Sequence, residues 1–160
     1  MPEENRGSRI GAVRLALYQV PLRTPAGDAK VFTGRQRVLD RVAVLAAEVL
    51  TADGGAGFGF SYALRAGGPA MFAYAEEVAP LLLGEDAAEV ERLWDKLLWH
   101  GASMGRGGLA IQALAALDLA LWDGRAKRAG LSLARLLGAF RTSVRCYNTS
   151  GGFLHTPLDE

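Results

Sequence analysis

The longest apolar stretch of the chain runs from Gly108 to Gly130 and has the composition of a buried helix. A helix places residues three, four and seven positions apart on one side, and this side carries Ile111, Leu114, Asp118, Leu121 and Trp122. Further apolar residues around the wheel predict burial on nearly all sides. A carboxylate in such a surface is costly unless it is hydrogen-bonded or paired. We therefore expect Asp118 to be a structural anchor, bonded to backbone N–H groups or to an arginine, and keep a catalytic acid as the alternative.

The first part of the chain alternates in the way that strands do. From Ile10 to Leu22, apolar residues recur at every second position, and Pro21 and Pro25 are expected to end this strand. The alternating set is Val13, Leu15 and Leu17 against Ala12, Arg14 and Ala16. Residues 23–35 contain two glycines and predict a loop. A loop of this length inside a compact domain is often functional.

The stretch from Arg37 to Thr51 is ambiguous, because its leucines and alanines favour a helix whereas its valines favour a strand. The turn signal Asp53-Gly54 follows, and then the short aromatic and glycine segment from Gly57 to Phe60. We interpret this arrangement as a hairpin, which gives two or three antiparallel strands within residues 10–62. A dinucleotide-binding loop at Gly54–Gly59 is the alternative, but no helix opens directly after it, as that site requires.

Helical spacing dominates the remainder. Pro69 suits a first helical turn, and a buried stripe then runs to Gly84; its members are Met71, Ala75, Val78 and Leu82. A second helix has Val90, Leu93, Trp94, Leu97 and Leu98 as its apolar stripe. The glycine-rich lead-in from His100 to Gly108 predicts either a tight turn or, with Arg106, an anion site at a helix start. Ser132 is expected to cap a short helix that Gly138 ends.

Charge and composition exclude several functions. The chain has 160 residues, with 18 basic and 17 acidic side chains and a net charge of +1, so it offers no concentrated basic face for nucleic acid. Its single cysteine, Cys146, excludes an internal disulfide. The polar N-terminus lacks an apolar signal core, and no window reaches the ~18 apolar residues of a membrane span. A cytoplasmic protein with no membrane partner is expected.

Three segments resemble a known family. They are GASMGRGGLAIQA (101–113), AALDLALWDGRAKRAGLSLARLLGAF (115–140) and VRCYNTSGGFLHTPLDE (144–160). They resemble the enolase superfamily in its mandelate racemase/muconate lactonizing enzyme branch, and within it the L-talarate/galactarate dehydratases, which act on acid sugars. The similarity begins near Ile10 and is most specific from Gly101 onward.

The resemblance implies an α+β fold: an enolase-like N-terminal capping domain, with a three-stranded antiparallel meander and a helical bundle, over residues 10–140. Residues 1–9 would be a flexible terminus, and residues 141–160 the start of a truncated TIM barrel, with its first strand from Ser143 to Asn148. In the family, acidic barrel residues hold Mg²⁺ and a lysine or histidine removes the proton next to the substrate carboxylate. None of these residues is found in this chain. We therefore assign no catalytic or metal residue here, and expect the chain alone to bind no Mg²⁺ and to be inactive.

By position in the family, the loop 23–35 and the turn near Gly57–Ala63 would be the two loops that close over substrate. Lys30 and Thr33 are the candidate substrate contacts in the first loop, although the lysine is as readily explained as a solvated charge. Tyr147, Asn148 and Thr149, at the exit of the first barrel strand, are the further candidates. The implied partners are a small sugar-acid carboxylate substrate and, in a full-length protein, further copies of the same chain. The alternatives are a racemase or cycloisomerase, a stand-alone cap, or a non-catalytic helical interaction module.

Overall fold

The computed structural model describes residues 6–27 and 29–146. Its described part is an antiparallel sheet in the order β1-β2-β3 followed by helices, which confirms the α+β prediction and the meander. The strands are β1 (Ile10–Ala26), β2 (Leu39–Thr51) and β3 (Ala56–Leu64). The helices are α1 (Ala29–Phe32), α2 (Gly68–Val78), α3 (Val90–His100), α4 (Gly108–Arg128) and α5 (Leu133–Leu136). The stretch that was ambiguous in sequence, Arg37–Thr51, is therefore mostly strand.

Strand β1 is longer than its prolines predict. It continues past Pro21 and Pro25 to Ala26, and its pairing with β2 is irregular between Pro21 and Ala26. Proline lacks a backbone N–H, but an edge strand has one side without a neighbouring strand and so tolerates it. The predicted loop 23–35 is corrected accordingly, because residues 23–26 are strand and α1 forms one helical turn within the remainder.

Helix α4 packs on β3 with its backbone almost touching the strand. A Cβ atom on Gly57 would lie 2.0 Å from the Ala120 carbonyl oxygen, and one on Gly59 would lie 2.1 Å from the Ala116 carbonyl oxygen. The two glycines therefore allow a close approach that any side chain would block. The Asp123 carboxylate on α4 also accepts a hydrogen bond from the Phe58 backbone N–H, at 2.7 Å. This pairs a polar group of edge strand β3 with the helix.

The hydrophobic core lies between the helices and the face of the sheet on which α4 packs. All four stripe residues predicted for the first long helical segment are buried, and Val90, Leu93 and Leu97 of α3 are buried with them. The first segment is α2 followed by a 3₁₀ turn, Ala79–Leu82. From β2, the buried residues are at alternate positions: Leu45, Ala47 and Val49. The helical and strand periodicities of the sequence thus converge on one core.

The beginning of the chain differs from the predicted flexible terminus, which covered residues 1–9. Residues Arg6–Ser8 form a 3₁₀ turn, and Ser8 is fully buried. Arg9 forms an isolated antiparallel β-bridge with Asp86 through the backbone. The Arg9 carbonyl oxygen also accepts a hydrogen bond from the Ala52 N–H at 2.8 Å. Residues 6–9 are therefore packed, which corrects that part of the flexible terminus; residues 1–5 of the same expectation lie outside the described residues.

The end of the described chain agrees only partly with prediction. Ser132 caps α5 by accepting a hydrogen bond from the Arg135 N–H at 3.4 Å, as expected. Residues 143–146, by contrast, are not in a strand, and the rest of the predicted strand lies outside the described residues. A strand needs a neighbour for its hydrogen bonds, and among residues 6–27 and 29–146 none is placed beside it. No described helix has the length and apolar character to cross a membrane.

Candidate functional site

Two connecting segments meet at one end of the sheet. Because the strands are antiparallel, Pro21 pairs with Arg41 at the end where Val42 pairs with Leu64. The segment between β1 and β2 and the segment after β3 are therefore neighbours, and the Arg65 Nε donates a hydrogen bond to the Arg37 carbonyl oxygen at 2.9 Å. The prediction of a second loop at Gly57–Ala63 is wrong, since those residues lie inside β3. Their glycines resemble a turn in sequence, but they serve the packing of α4.

A cavity of about 470 Å³ opens at this end. Its sheet side is formed by residues from all three strand ends, and its other side by the beginning of α2. The lining residues are Gln19, Arg37, Val38, Asp40, Arg41, Ala43, Ala63, Arg65, Ala66, Gly67, Gly68 and Pro69. Pockets of this volume are typical of small-molecule sites. It is the most conspicuous candidate for ligand binding at the end of the sheet that holds the predicted loop.

The cavity is positively charged. Three arginines face one aspartate, Asp40. The Arg41 Nε and Nη2 atoms each donate to one Asp40 carboxylate oxygen, both at 3.2 Å. This hydrogen-bonded pair lowers the pKa of Asp40 and raises that of Arg41. Both side chains are largely exposed, so the pair is weak in water and open to exchange with another anion.

The start of α2 adds to this positive character. Gly67, at the N-cap, has φ 92°, and no side chain caps the helix there. The first N–H groups of a helix lack partners within it, and they carry a partial positive charge. Glycine supplies the left-handed backbone angle without steric cost. The chain therefore turns from β3 into α2 with its first helical amides beside the cavity.

The predicted substrate contacts Lys30 and Thr33 lie together in the turn around α1. Both are exposed, and the Thr33 hydroxyl donates to the Lys30 carbonyl oxygen at 3.1 Å. Neither lines the cavity, so their role as substrate contacts stays a prediction. The remaining candidates, Tyr147, Asn148 and Thr149, lie outside the described residues.

The structure does not anchor Asp118 in the way expected. Its side chain is half-buried on α4, and burial raises its pKa above the ordinary value. Within residues 6–27 and 29–146 it has neither a hydrogen bond nor an ion pair, so the predicted backbone or arginine partner is absent there. Nor does this described part contain three or more histidine, cysteine, aspartate or glutamate side chains grouped to hold a metal ion.

Comparison with known proteins places this arrangement in a family. Residues 29–138 match the model of the mandelate racemase / muconate lactonizing enzyme N-terminal domain. The chain belongs to this family. It is 58% identical over 154 residues to the L-talarate/galactarate dehydratase of Salmonella typhimurium LT2, which covers 96% of this chain and 39% of that enzyme. It is 33% identical over 139 residues to the 3,6-anhydro-alpha-L-galactonate cycloisomerase of Streptomyces coelicolor, covering 86% of this chain and 37% of the relative.

Solved structures give the same result for the fold. The L-talarate dehydratase of Polaromonas sp. JS666, complexed with Mg and L-glucarate, matches with a TM-score of 0.89 and 62% identity over 94% of this chain and 40% of that one. The Salmonella enzyme, liganded with Mg and L-lyxarohydroxamate, matches with a TM-score of 0.89 and 59% identity over 96% of this chain and 39% of its own. The chain thus spans about two-fifths of the length of these relatives. The part that it matches contains the N-terminal domain of the enolase superfamily.

Proposed function

We propose that this chain is the substrate-capping part of a Mg²⁺-dependent acid-sugar dehydratase. The observation that carries the proposal is the 58% identity to the L-talarate/galactarate dehydratase across nearly the whole chain. In such a reaction a base removes the proton next to the substrate carboxylate, and the resulting enediolate expels the hydroxyl group at the next carbon as water. Mg²⁺ would stabilise the charge that develops on the carboxylate oxygens.

In this proposal the chain supplies the roof of the active site rather than its chemistry. The connection between β1 and β2, which contains Lys30 and Thr33, would close over the substrate and exclude water. The neighbouring cavity would hold part of the substrate. The metal ligands and the base would come from the barrel portion of a full-length protein, with Tyr147, Asn148 and Thr149 at its entrance. The 160-residue chain alone is then expected to bind no catalytic Mg²⁺ and to have no dehydratase activity.

A chimera tests the proposal directly. This chain would replace the matched N-terminal portion of the Salmonella enzyme, and dehydration of galactarate and L-talarate would be measured with and without a chelator. We expect metal-dependent formation of the keto-deoxy acid by the chimera and none by the chain alone. A folded, Mg²⁺-loaded chimera that turns over neither acid would refute the dehydratase assignment. Turnover by the isolated chain would refute the division of labour.

The same product assay, made on a full-length protein in which this chain is joined to its own barrel, separates the alternatives within the family, because the barrel would supply the base and the metal ligands. A cycloisomerase, as the 33% identical relative is named, would interconvert a lactone or anhydro sugar without releasing water, and a racemase would return an epimer of the same mass. Product analysis by mass and chirality therefore identifies the reaction. All of these reactions begin by removing the proton next to the carboxylate. Loss of deuterium from a substrate labelled at that carbon would therefore not identify the reaction by itself.

A second candidate, an interaction module, is favoured by the outer face of the sheet. Phe58, Phe60, Tyr62 and Leu64 alternate along β3 on the side away from α4, and each is about half exposed. Exposed apolar surface of this kind promotes association. We propose that this face contributes to homo-oligomer formation. Sedimentation of the chain should show self-association that Phe60→Lys reduces, whereas a clean monomer would contradict it. The cytoplasmic location stays a prediction.

A further inference from the structure

We propose that the cavity between the strand ends and α2 is a carboxylate site, in which Arg41 and Arg65 hold the end of a sugar dicarboxylate that is remote from the reacting carbon. The inference rests on the proposed function, since it names the part of the substrate that this chain would recognise. It assigns a role to two arginines that the sequence did not single out.

The placement of the two arginines carries the inference. Val42 pairs with Leu64 across β2 and β3, so Arg41 and Arg65 follow at opposite positions on neighbouring segments, and both line the cavity. Like charges directly opposite each other destabilise a sheet. The nearest opposite pair on the same face of the sheet, Ala43 and Ala63, is small, apolar and buried. The change from alanine to arginine at this end is therefore explained by an anionic ligand better than by packing.

The backbone of Arg65 points to the same conclusion. Its φ angle of 51° is left-handed, a conformation that side chains other than glycine, asparagine and aspartate rarely adopt. Glycine would relieve this strain, yet an arginine stands here, with its Nε donating to the Arg37 carbonyl oxygen at 2.9 Å. That bond orients the planar guanidinium beside the cavity. Strained positions of this kind are concentrated at ligand sites.

Carboxylate chemistry fits what the cavity offers. A guanidinium group can bind both oxygens of a carboxylate with two parallel hydrogen bonds. In the free chain Arg41 already forms such a pair with the exposed carboxylate of Asp40, which shows that its geometry suits this group. A ligand carboxylate would bind Arg41 beside Asp40 or in its place. It would also accept hydrogen bonds from backbone N–H groups at the beginning of α2. With three arginines and one aspartate among the lining residues, a ligand carboxylate would reduce the excess positive charge of the site.

A binding experiment on the 160-residue chain tests this. Isotope-labelled chain would be titrated with glucarate, gluconate, glucitol and inorganic phosphate at constant ionic strength, following backbone amide resonances. We expect glucarate and gluconate to shift the amides of residues 37–43 and 65–68, and neutral glucitol to leave them unchanged. Phosphate binding at least tenfold tighter than glucarate would overturn the carboxylate assignment in favour of a phosphate site.

The variants are chosen so that the fold survives. Arg65→Gly removes the guanidinium and suits the positive φ, and Arg41→Gln keeps side-chain length. Arg14→Gln is the matched control, because Arg14 is another exposed strand arginine paired with a carboxylate at 3.2 Å, that of Glu48, and it does not line the cavity. Loss of a charge-assisted hydrogen bond predicts about tenfold weaker glucarate binding in each of the first two variants. Affinity equal to that of Arg14→Gln would overturn the inference.

The outcome is distinguishable from that of the proposed function. In the active chimera, Arg65→Gly should raise the KM for galactarate about tenfold while changing kcat less than about twofold, since the remote carboxylate takes no part in proton transfer. An active chimera that is indifferent to both substitutions refutes the carboxylate site alone. Arginine-dependent glucarate binding by the chain, with an inactive chimera, supports the site and refutes the dehydratase proposal.

Discussion

Substitution of Gly59 by alanine is expected to be among the most damaging single-methyl changes in this chain. The added Cβ would lie 2.1 Å from the Ala116 carbonyl oxygen and 2.5 Å from the Ala120 backbone nitrogen. The first distance is about 1.3 Å shorter than an ordinary 3.4 Å contact. Both partners are backbone atoms of α4, so no side chain can rotate away. The helix itself must move off β3.

The magnitude follows from that geometry. Overpacking a core by a methyl group costs about 1–3 kcal/mol, and occasionally more; with rigid backbone on both sides we expect about 3 kcal/mol for Gly59→Ala. For a chain of this size, that corresponds to a fall in Tm of roughly 6–12 °C. Against a typical total stability of about 5–15 kcal/mol, it is a large fraction.

Gly11→Ala supplies the matched control. Gly11 also lies in a strand, but a Cβ there would meet nothing closer than the Leu50 carbonyl oxygen at 3.9 Å. Alanine should be neutral or stabilise by about 0.5–1 kcal/mol, because glycine loses more backbone entropy on folding. Urea unfolding followed by circular dichroism measures both variants. A difference between them below about 1 kcal/mol would refute the backbone-contact argument, given the ordinary scatter of surface substitutions.

Three further predictions concern polar groups. Burial raises the pKa of Asp118, so ionisation costs more in the folded than in the unfolded chain, and Asp118→Asn should raise Tm at pH 7, with the gain vanishing below about pH 3.8. Hydrogen bonds from Lys96 and then Arg92 lower the Glu85 pKa to about 2; Glu85→Gln should therefore destabilise above the ordinary value of 4.5, and the difference from the parent should disappear in urea titrations as pH falls toward 2. The buried Tyr74 hydroxyl has no hydrogen-bond partner in the described chain, so Tyr74→Phe should keep or raise the unfolding midpoint, and a loss above about 1 kcal/mol would contradict this.

The parts of the fold that sequence predicted are those governed by local periodicity. The span of α4 and the stripes of α2 and α3 are repeats of three and four residues. For β2, the valines favoured a strand, and the Asp53-Gly54 turn signal then indicated a hairpin. The end of β1 was missed because tolerance of Pro21 depends on the strand being at an edge, which is a property of the assembled sheet. The partner expected for Asp118 was likewise a tertiary question that helical spacing could not answer.

The candidate site could be predicted only in part from the sequence, because it also depends on tertiary structure. Sequence placed the connection after the first strand at the correct end of the sheet, although its first residues are strand, and its functional role stays a prediction. It assigned the second loop to Gly57–Ala63, because glycines mark turns as readily as close packing. Arg41 and Arg65 are far apart in the chain, and only the register of β2 and β3 brings them together. One signal was available: Arg41 occupies the same alternation phase as the buried Ala43 and Leu45, where a charged residue is unexpected.

The packing that builds the domain also positions the cavity. Gly57 and Gly59 bring α4 against β3, and the N-terminal end of α4 then places Leu109 against Gly67, where a Cβ would lie 2.7 Å from the leucine side chain. Gly67 in turn begins α2 at the rim of the cavity. The glycines of β3 therefore help to position, through one helix, the beginning of α2 at the far end of the sheet. The proposed recognition surface follows from the fold because a rigid helix connects two glycine contacts, and loops on rigid elements are the ones that can hold a ligand in one geometry.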